Sequence, residues 1–150
     1  MSRFLFFIGL NLLISTIAFA TLGEPRSTIA ADAKALSGTL SAPVMFPLFL
    51  VEEITSDGLS VKEFISQPGV VFAVAWSGSR RPDLNQLLGT HFDEVDHSLK
   101  KAKIKKGHGP IAMTGSKVHI EMGGHMRSLS GRAYVVSLLP AGIELDEIHY

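Results

Sequence analysis

Apolar residues recur at every second position over most of the chain and at every third or fourth position in two stretches, which separates strands from helices. The first helical stretch follows Ser27, a capping residue type, and sets Ile29, Ala33 and Leu36 on one face before Gly38 ends it. This short helix is expected on the domain surface. Leu48 to Thr55 and Leu59 to Ser66 are rich in β-favouring residues and flank Ser56, Asp57 and Gly58, so they read as two arms of a hairpin. Its register stays open: a two-residue turn pairs Glu53 with Lys62, whereas a three-residue turn with Gly58 left-handed pairs Glu52 with Lys62. Either register brings opposite charges together.

Pro68 and Gly69 are the types that a type II turn takes at its centre, so Val70 to Trp76 returns as a third antiparallel strand. Val70, Phe72, Val74 and Trp76 fall on one face and Val71, Ala73 and Ala75 on the other. Both faces are apolar, which makes the strand central, and the smaller face admits a closely packed helix. That helix is expected over 82–106, with Pro82 at its first position and Leu84, Leu87, Leu88, His91, Val95, Leu99 and Ala102 on one stripe. Gly89 costs about 1 kcal/mol relative to alanine and allows a kink or a break. Asp93, Glu94 and Asp96 precede Lys100, Lys101, Lys103, Lys105 and Lys106, an order that suits the helix dipole, and Gly107 marks the stop. Pro110 to Thr114, Lys117 to Met122, His125 to Leu129 and Arg132 to Leu139 read as short strands, with Gly123 and Gly124 as a tight hairpin turn and Ile143 to Tyr150 as a last edge strand. The pattern predicts an α+β domain: a mainly antiparallel sheet of about six to seven strands, covered on one face by the long helix and preceded by the short N-terminal helix.

The N-terminal run changes where this domain is expected to work. Arg3 precedes an apolar stretch from Phe4 to Ile17, broken only by Gly9, Asn11, Ser15 and Thr16, and Ala18 and Ala20 flank Phe19 in an A-x-A pattern. Positive start, apolar middle and small-residue end read as a secretory signal peptide over 1–20, cut by signal peptidase to leave Thr21 first. A membrane anchor is the alternative reading. About 14 to 17 helical residues at ~1.5 Å each reach roughly 21 to 26 Å, short of the ~30 Å hydrocarbon core, so no stable span is expected after cleavage. The mature chain is then one globular domain over 21–150, with a short flexible leader over 21–26, in the periplasm or secreted.

With no cysteine the chain has no disulfide, no lipoprotein acylation site and no thiol nucleophile. Its 14 Lys and Arg balance 14 Asp and Glu, so there is no overall field to gather nucleic acid, and no such partner is expected.

Several runs carry a resemblance: Gly69-Val-Val-Phe-Ala-Val-Ala-Trp76 with Gly78, Pro82-Asp-Leu84, Leu87-Leu-Gly89, Gly123-Gly-His-Met-Arg127, Gly131-Arg-Ala-Tyr134 and Leu139-Pro140. In order and spacing, from about Leu22 to Ile148, they resemble the bacterial exported-protein family called domain of unknown function 2844. The resemblance implies export and a single domain. That family has no assigned reaction, ligand or catalytic residue, so no site is carried over. The Arg80-Arg81 pair and the lysine cluster are not extended to relatives.

Candidate chemistry is sparse. Six histidines invite a metal site, and His119, Glu121 and His125 lie close in sequence. A two-residue turn at Gly123 and Gly124 would, however, put His119 and Glu121 on one face and His125 on the other, and no spacing matches a zinc pattern. His91 lies in an apolar stripe, as a core histidine does. The loop Ser77-Gly-Ser-Arg-Arg81 leads into a helix and offers Arg80 and Arg81 to an anion, although Asp83 already serves those amides and a plain connector is the simpler reading. The lysine cluster reads as a solvated helix end, with too little apolar surface beside it to anchor in lipid.

Arg127, Arg132 and Tyr134 come from neighbouring strands and, with Trp76 and His125, outline a pocket of guanidinium and aromatic groups. Tyr134 equally suits the core, and arginine stems equally suit a sheet surface. No G-x-S-x-G elbow and no general base are identifiable by spacing, and no cofactor is implied. The reading that results is a non-catalytic envelope or secreted protein that binds a small ligand or an envelope protein. An enzyme using His125 with a serine or acid is the first alternative, and a structural component joined along an exposed sheet edge is the second.

Overall fold

The computed structural model describes residues 22–103 and 110–150. Eight strands among them form one antiparallel sheet: β1 Thr39–Leu40, β2 Val44–Met45, β3 Phe49–Ser56, β4 Leu59–Ser66, β5 Val71–Gly78, β6 Ile111–Thr114, β7 Val118–His125 and β8 Ser128–Val135. Their order is β1-β3-β4-β5-β8-β7-β6, with β2 also paired to β3. Helices α1 Ile29–Ala35, α2 Leu84–Leu88 and α3 Phe92–Lys103 complete an α+β chain. No helix among the described residues is long and apolar enough to cross a membrane.

The first hairpin takes the two-residue turn. Ser56 pairs with Leu59 and Glu53 with Lys62, and Gly58 holds the left-handed conformation at φ 66°. The next turn differs by one residue from the type II expectation. Gly69 N donates to Ser66 O at 2.8 Å, which puts Gln67 and Pro68 at the centre and leaves Gly69, at φ 86°, the left-handed position after them.

Strand β5 is central, but its faces are not those that strict alternation gives. Phe64 pairs with Ala73 and Ile65 with Val71, so Phe72 is an extra residue at a bulge. Beyond it the alternation reverses: Val71 joins Val74 and Trp76 in one core cluster, while Phe72 joins Ala73 and Ala75 in another. The expectation that a helix would lie on the alanine side is corrected as well. Ile29, Ala33, Leu84, Leu87, Leu88 and Val95 share their cluster with Val74 and Trp76, and the small residues pack with Phe49, Phe64, Phe72, Tyr134 and Ile148.

The single helix over 82–106 divides into α2, a 3-10 turn at Gly89–His91, and α3. Pro82 stands outside it; Asp83 is the cap, its carboxylate accepting from Asn85 N at 2.9 Å. The expected stop at Gly107 and the lysines at 105 and 106 lie outside the described residues. Ser27 is likewise not a cap but part of a 3-10 turn, Arg26–Thr28, that leads into α1. Helix α1 turns Ala30, Lys34 and Ala35 to the surface and buries Ile29 and Ala33, and Leu36 just past its end, in the main cluster.

Two further expectations are overturned at the ends. Residues 22–26 are no flexible leader: Leu22 is 1% exposed, and backbone bonds tie this segment to Val71, Gly69 and Leu87. Ile143 to Tyr150 is not an edge strand. It holds a 3-10 turn, Leu145–Glu147, closed by a reciprocal Glu144–Glu147 capping box, and lays Ile148 against the aromatic cluster.

Candidate functional site

The second hairpin decides the surface chemistry, and it turns elsewhere than at the glycine pair. Strand β7 runs through Gly123 and Gly124 to His125, which pairs with Ser128 across Met126 and Arg127. Close approach explains the second glycine. A Cβ on Gly124, at φ 117°, would lie 2.1 Å from Ser128 O. Arg127 therefore takes the left-handed position itself, at φ 65°. The separate strands expected over His125 to Leu129 and Arg132 to Leu139 are replaced by one strand, β8, followed by a 3-10 turn at Val136–Leu138.

Cross-strand partners share a face, so the registers place three rows side by side on the aromatic side of the sheet. Val51, Phe64, Ala73, Tyr134, His119 and Thr114 form the first row. Glu53, Lys62, Ala75, Arg132 and Glu121 form the second. Thr39, Thr55, Ser60, Ser77 and Ser130 form the third, which ends at Gly123.

A hydrogen-bonded chain links the first two rows. Thr114 Oγ1 lies 2.8 Å from His119 Nδ1, and His119 Nε2 lies 2.9 Å from Glu121 Oε1. A carboxylate only accepts, so Nε2 carries a proton and donates it to Glu121, while Nδ1 faces the Thr114 hydroxyl. Arg132 donates to Glu121 Oε2 from Nε at 3.0 Å and sits 2.9 Å away through Nη2; its Nη1 donates to Leu145 O at 2.5 Å and Ile148 O at 3.0 Å. The Arg132 hydrogen bond holds the Glu121 carboxyl below its usual range, against a smaller effect of burial. Tyr134 stacks on His119 at 5.0 Å, and burial with the Glu121 charge pushes its hydroxyl up.

Beside this chain an open groove of about 490 Å³ follows the β7–β8 strands past Glu121, His125, Ser130, Arg132 and Tyr150. A second depression, about 560 Å³, lies over the hydroxyl row, and the two share Ser128, Ser130 and Tyr150.

The residues singled out in the sequence do not all meet here. Arg132 and Tyr134 lie on this face, whereas Trp76, 1% exposed, belongs to the cluster on the other face, its ring over Gly131. The sheet thus separates Trp76 from Arg132 and Tyr134. Arg127 and His125 are exposed at the hairpin end, and the His125 ring makes no hydrogen bond among the described residues, not even to Ser128 opposite it. Arg80 donates to Asp57 O and Ser56 Oγ, both at 3.0 Å, bracing the first hairpin turn, and Arg81 is exposed. Ala18, Ala20 and Thr21 lie outside the described residues. Because β7 is unbroken, no glycine turn splits His119 and Glu121 from His125. Among the described residues, no three His, Asp or Glu side chains gather as metal ligands.

Sequence reasoning missed two features. One is the hydroxyl row, whose members are scattered between 39 and 130 and align only once every register is known. The other is a buried set of carboxylates. Asp32 of α1, Glu52 of β3 and Glu63 of β4 are all buried. Glu52 accepts from Arg26 Nε at 2.7 Å, and Asp32 accepts from Gln86 Nε2 at 3.2 Å. Burial first, then the neighbouring charge of Asp32, raises the Glu63 carboxyl well above its ordinary value.

A family model described as "Protein of unknown function (DUF2844)" matches residues 18–148. No curated protein matches the chain, and no solved structure does.

Proposed function

The chain belongs to this family of unknown function, which supplies no activity to carry over, so we propose a role from the site: an exported bacterial protein that binds a ligand without transforming it, in the groove over the hydroxyl row. In this reading the signal peptide is removed after Ala20, the domain works in the periplasm or outside the cell, the helices back the far face of the sheet, and the C-terminal segment packs on the aromatic cluster of the near face, leaving the hydroxyl row open.

One observation carries the proposal. Thr55, Ser77 and Ser130 stand in register on the floor of the depression, and their side chains make no hydrogen bond among the described residues, so their donors and acceptors are open to a ligand. The titratable groups beside them are spent on one another. Glu121 is held ionised between His119 and Arg132, and the hydroxyls that meet a base, Thr114 at His119 and Ser60 at Glu53, are tied into these side-chain pairs.

The test is an amide-resolved NMR titration of the purified protein with fractions of an extract from its native envelope. Shifts at Ser77, Gly123, Gly124 and Ser130 are the expected result. Shifts confined to other surfaces, or none with any fraction, contradict the proposal. Export is tested by N-terminal sequencing of the protein from cells: Thr21 first supports it, and a retained Met1 overturns it.

A further inference from the structure

We infer that this groove takes a neutral polyhydroxylated ligand, a glycan chain, an inference that rests on the binding role proposed above. Neighbouring strands are about 4.8 Å apart, so the hydroxyls of Thr55, Ser60, Ser77 and Ser130 form a ruler roughly 14 Å long, perpendicular to the strands. Each serine or threonine hydroxyl both donates and accepts, as does each hydroxyl of a sugar, so the two sets satisfy one another without a net charge on either side. Of these four, only Ser60 is committed, donating to Glu53 at 2.5 Å.

Charge argues for neutrality. A phosphate or carboxylate ligand is usually held by a guanidinium fork. The fork of Arg132 is already filled, with Glu121 on one side and the carbonyls of Leu145 and Ile148 on the other. Lys62 stands opposite Glu53; Arg127, on the hairpin turn, borders the depression with its side chain exposed. Beneath the row the fixed charges stand as opposite-sign neighbours, Glu53 with Lys62 and Glu121 with Arg132, and Arg127 at the rim is a cation whose contribution the salt dependence reads. Tyr150, 56% exposed, borders both depressions and offers an aromatic face against which the C–H face of a sugar ring can stack. An open, shallow floor with one such platform suits an extended chain that passes across the sheet.

The probes are chitohexaose, cellohexaose and maltohexaose, each titrated into the purified protein with amide detection at two salt concentrations. At least one is expected to shift Thr55, Ser60, Ser77 and Ser130, with an affinity unchanged by salt. The double substitution Ser77→Ala with Ser130→Ala is expected to weaken that binding at least tenfold, and Tyr150→Ala severalfold. Tyr150 is exposed and belongs to neither core cluster, so its variant tests the platform without touching the core. Binding unchanged in both variants overturns the inference, as does an affinity that falls steeply with salt, which marks an anionic ligand. If no hexaose moves these amides but the envelope fractions do, the ligand class is wrong and the groove still binds; if neither does, the binding role fails with it.

Discussion

Gly131 shows how one missing side chain fixes a face of the sheet. A Cβ there would lie 2.4 Å from Trp76 Cζ2 and 2.7 Å from Glu121 O, so the indole rests where only a hydrogen leaves room. Gly131→Ala is predicted to destabilise the protein by about 1–3 kcal/mol, read from denaturant midpoints, with a shift in the emission of the single tryptophan; an unchanged midpoint contradicts the packing. Glu63 makes a prediction about pH. Its raised carboxyl keeps a proton in the fold where the unfolded chain has released it, so stability falls as pH climbs from its ordinary value of 4.5 toward the raised one. Glu63→Gln removes that titration. Its stability relative to the parent should therefore rise as pH climbs above 4.5, by at most about 1.4 kcal/mol per pH unit, and a difference that stays flat with pH sinks the assignment. Trp76 is legible in the sequence as an important core residue, but its face-mates are not: the bulge at Phe72 depends on how β4 pairs, which local alternation does not encode.

At the scale of elements, the two hairpins show when turn chemistry can be read and when it misleads. Asp57 and Gly58 meet the demand of a two-residue turn, and the chain turns there. Gly123 and Gly124 meet the same demand, yet they lie inside β7, where the neighbouring backbone at Ser128 leaves no room for a side chain on Gly124. The left-handed position then falls to Arg127. Arg127→Gly should stabilise the hairpin by up to about 1 kcal/mol, the left-handed strain relieved less the added freedom of the unfolded chain. Gly124→Ala should destabilise it. Thermal melts of the two variants check both signs, and a destabilised Arg127→Gly contradicts the placement of the turn. The helical stripe after Pro82 is legible from its leucines. Its division is foreshadowed by Gly89, which adopts φ 46° and ends α2.

At the scale of the whole molecule, the α+β class and the central position of β5 follow from hydrophobic period alone. Which residues meet on one surface does not, since Thr55, Ser77 and Ser130 become neighbours only through three successive registers. The expected pocket around Trp76 fails for the same reason: residues on adjacent strands can lie on opposite sides of a sheet. The C-terminal segment joins this surface through Arg132, whose Nη1 holds two of its carbonyls. Arg132→Gln is predicted to speed hydrogen exchange across residues 143–150 while leaving β3 and β4 protected; equal exchange in both proteins contradicts the tether.

The most direct test of the proposed binding role is mass spectrometry of small molecules that co-purify with the protein from its native cells, run beside the Ser77→Ala and Ser130→Ala double variant. A bound ligand is predicted in the parent, lost or depleted in the variant. The same ligand retained at the same level in both proteins would contradict it.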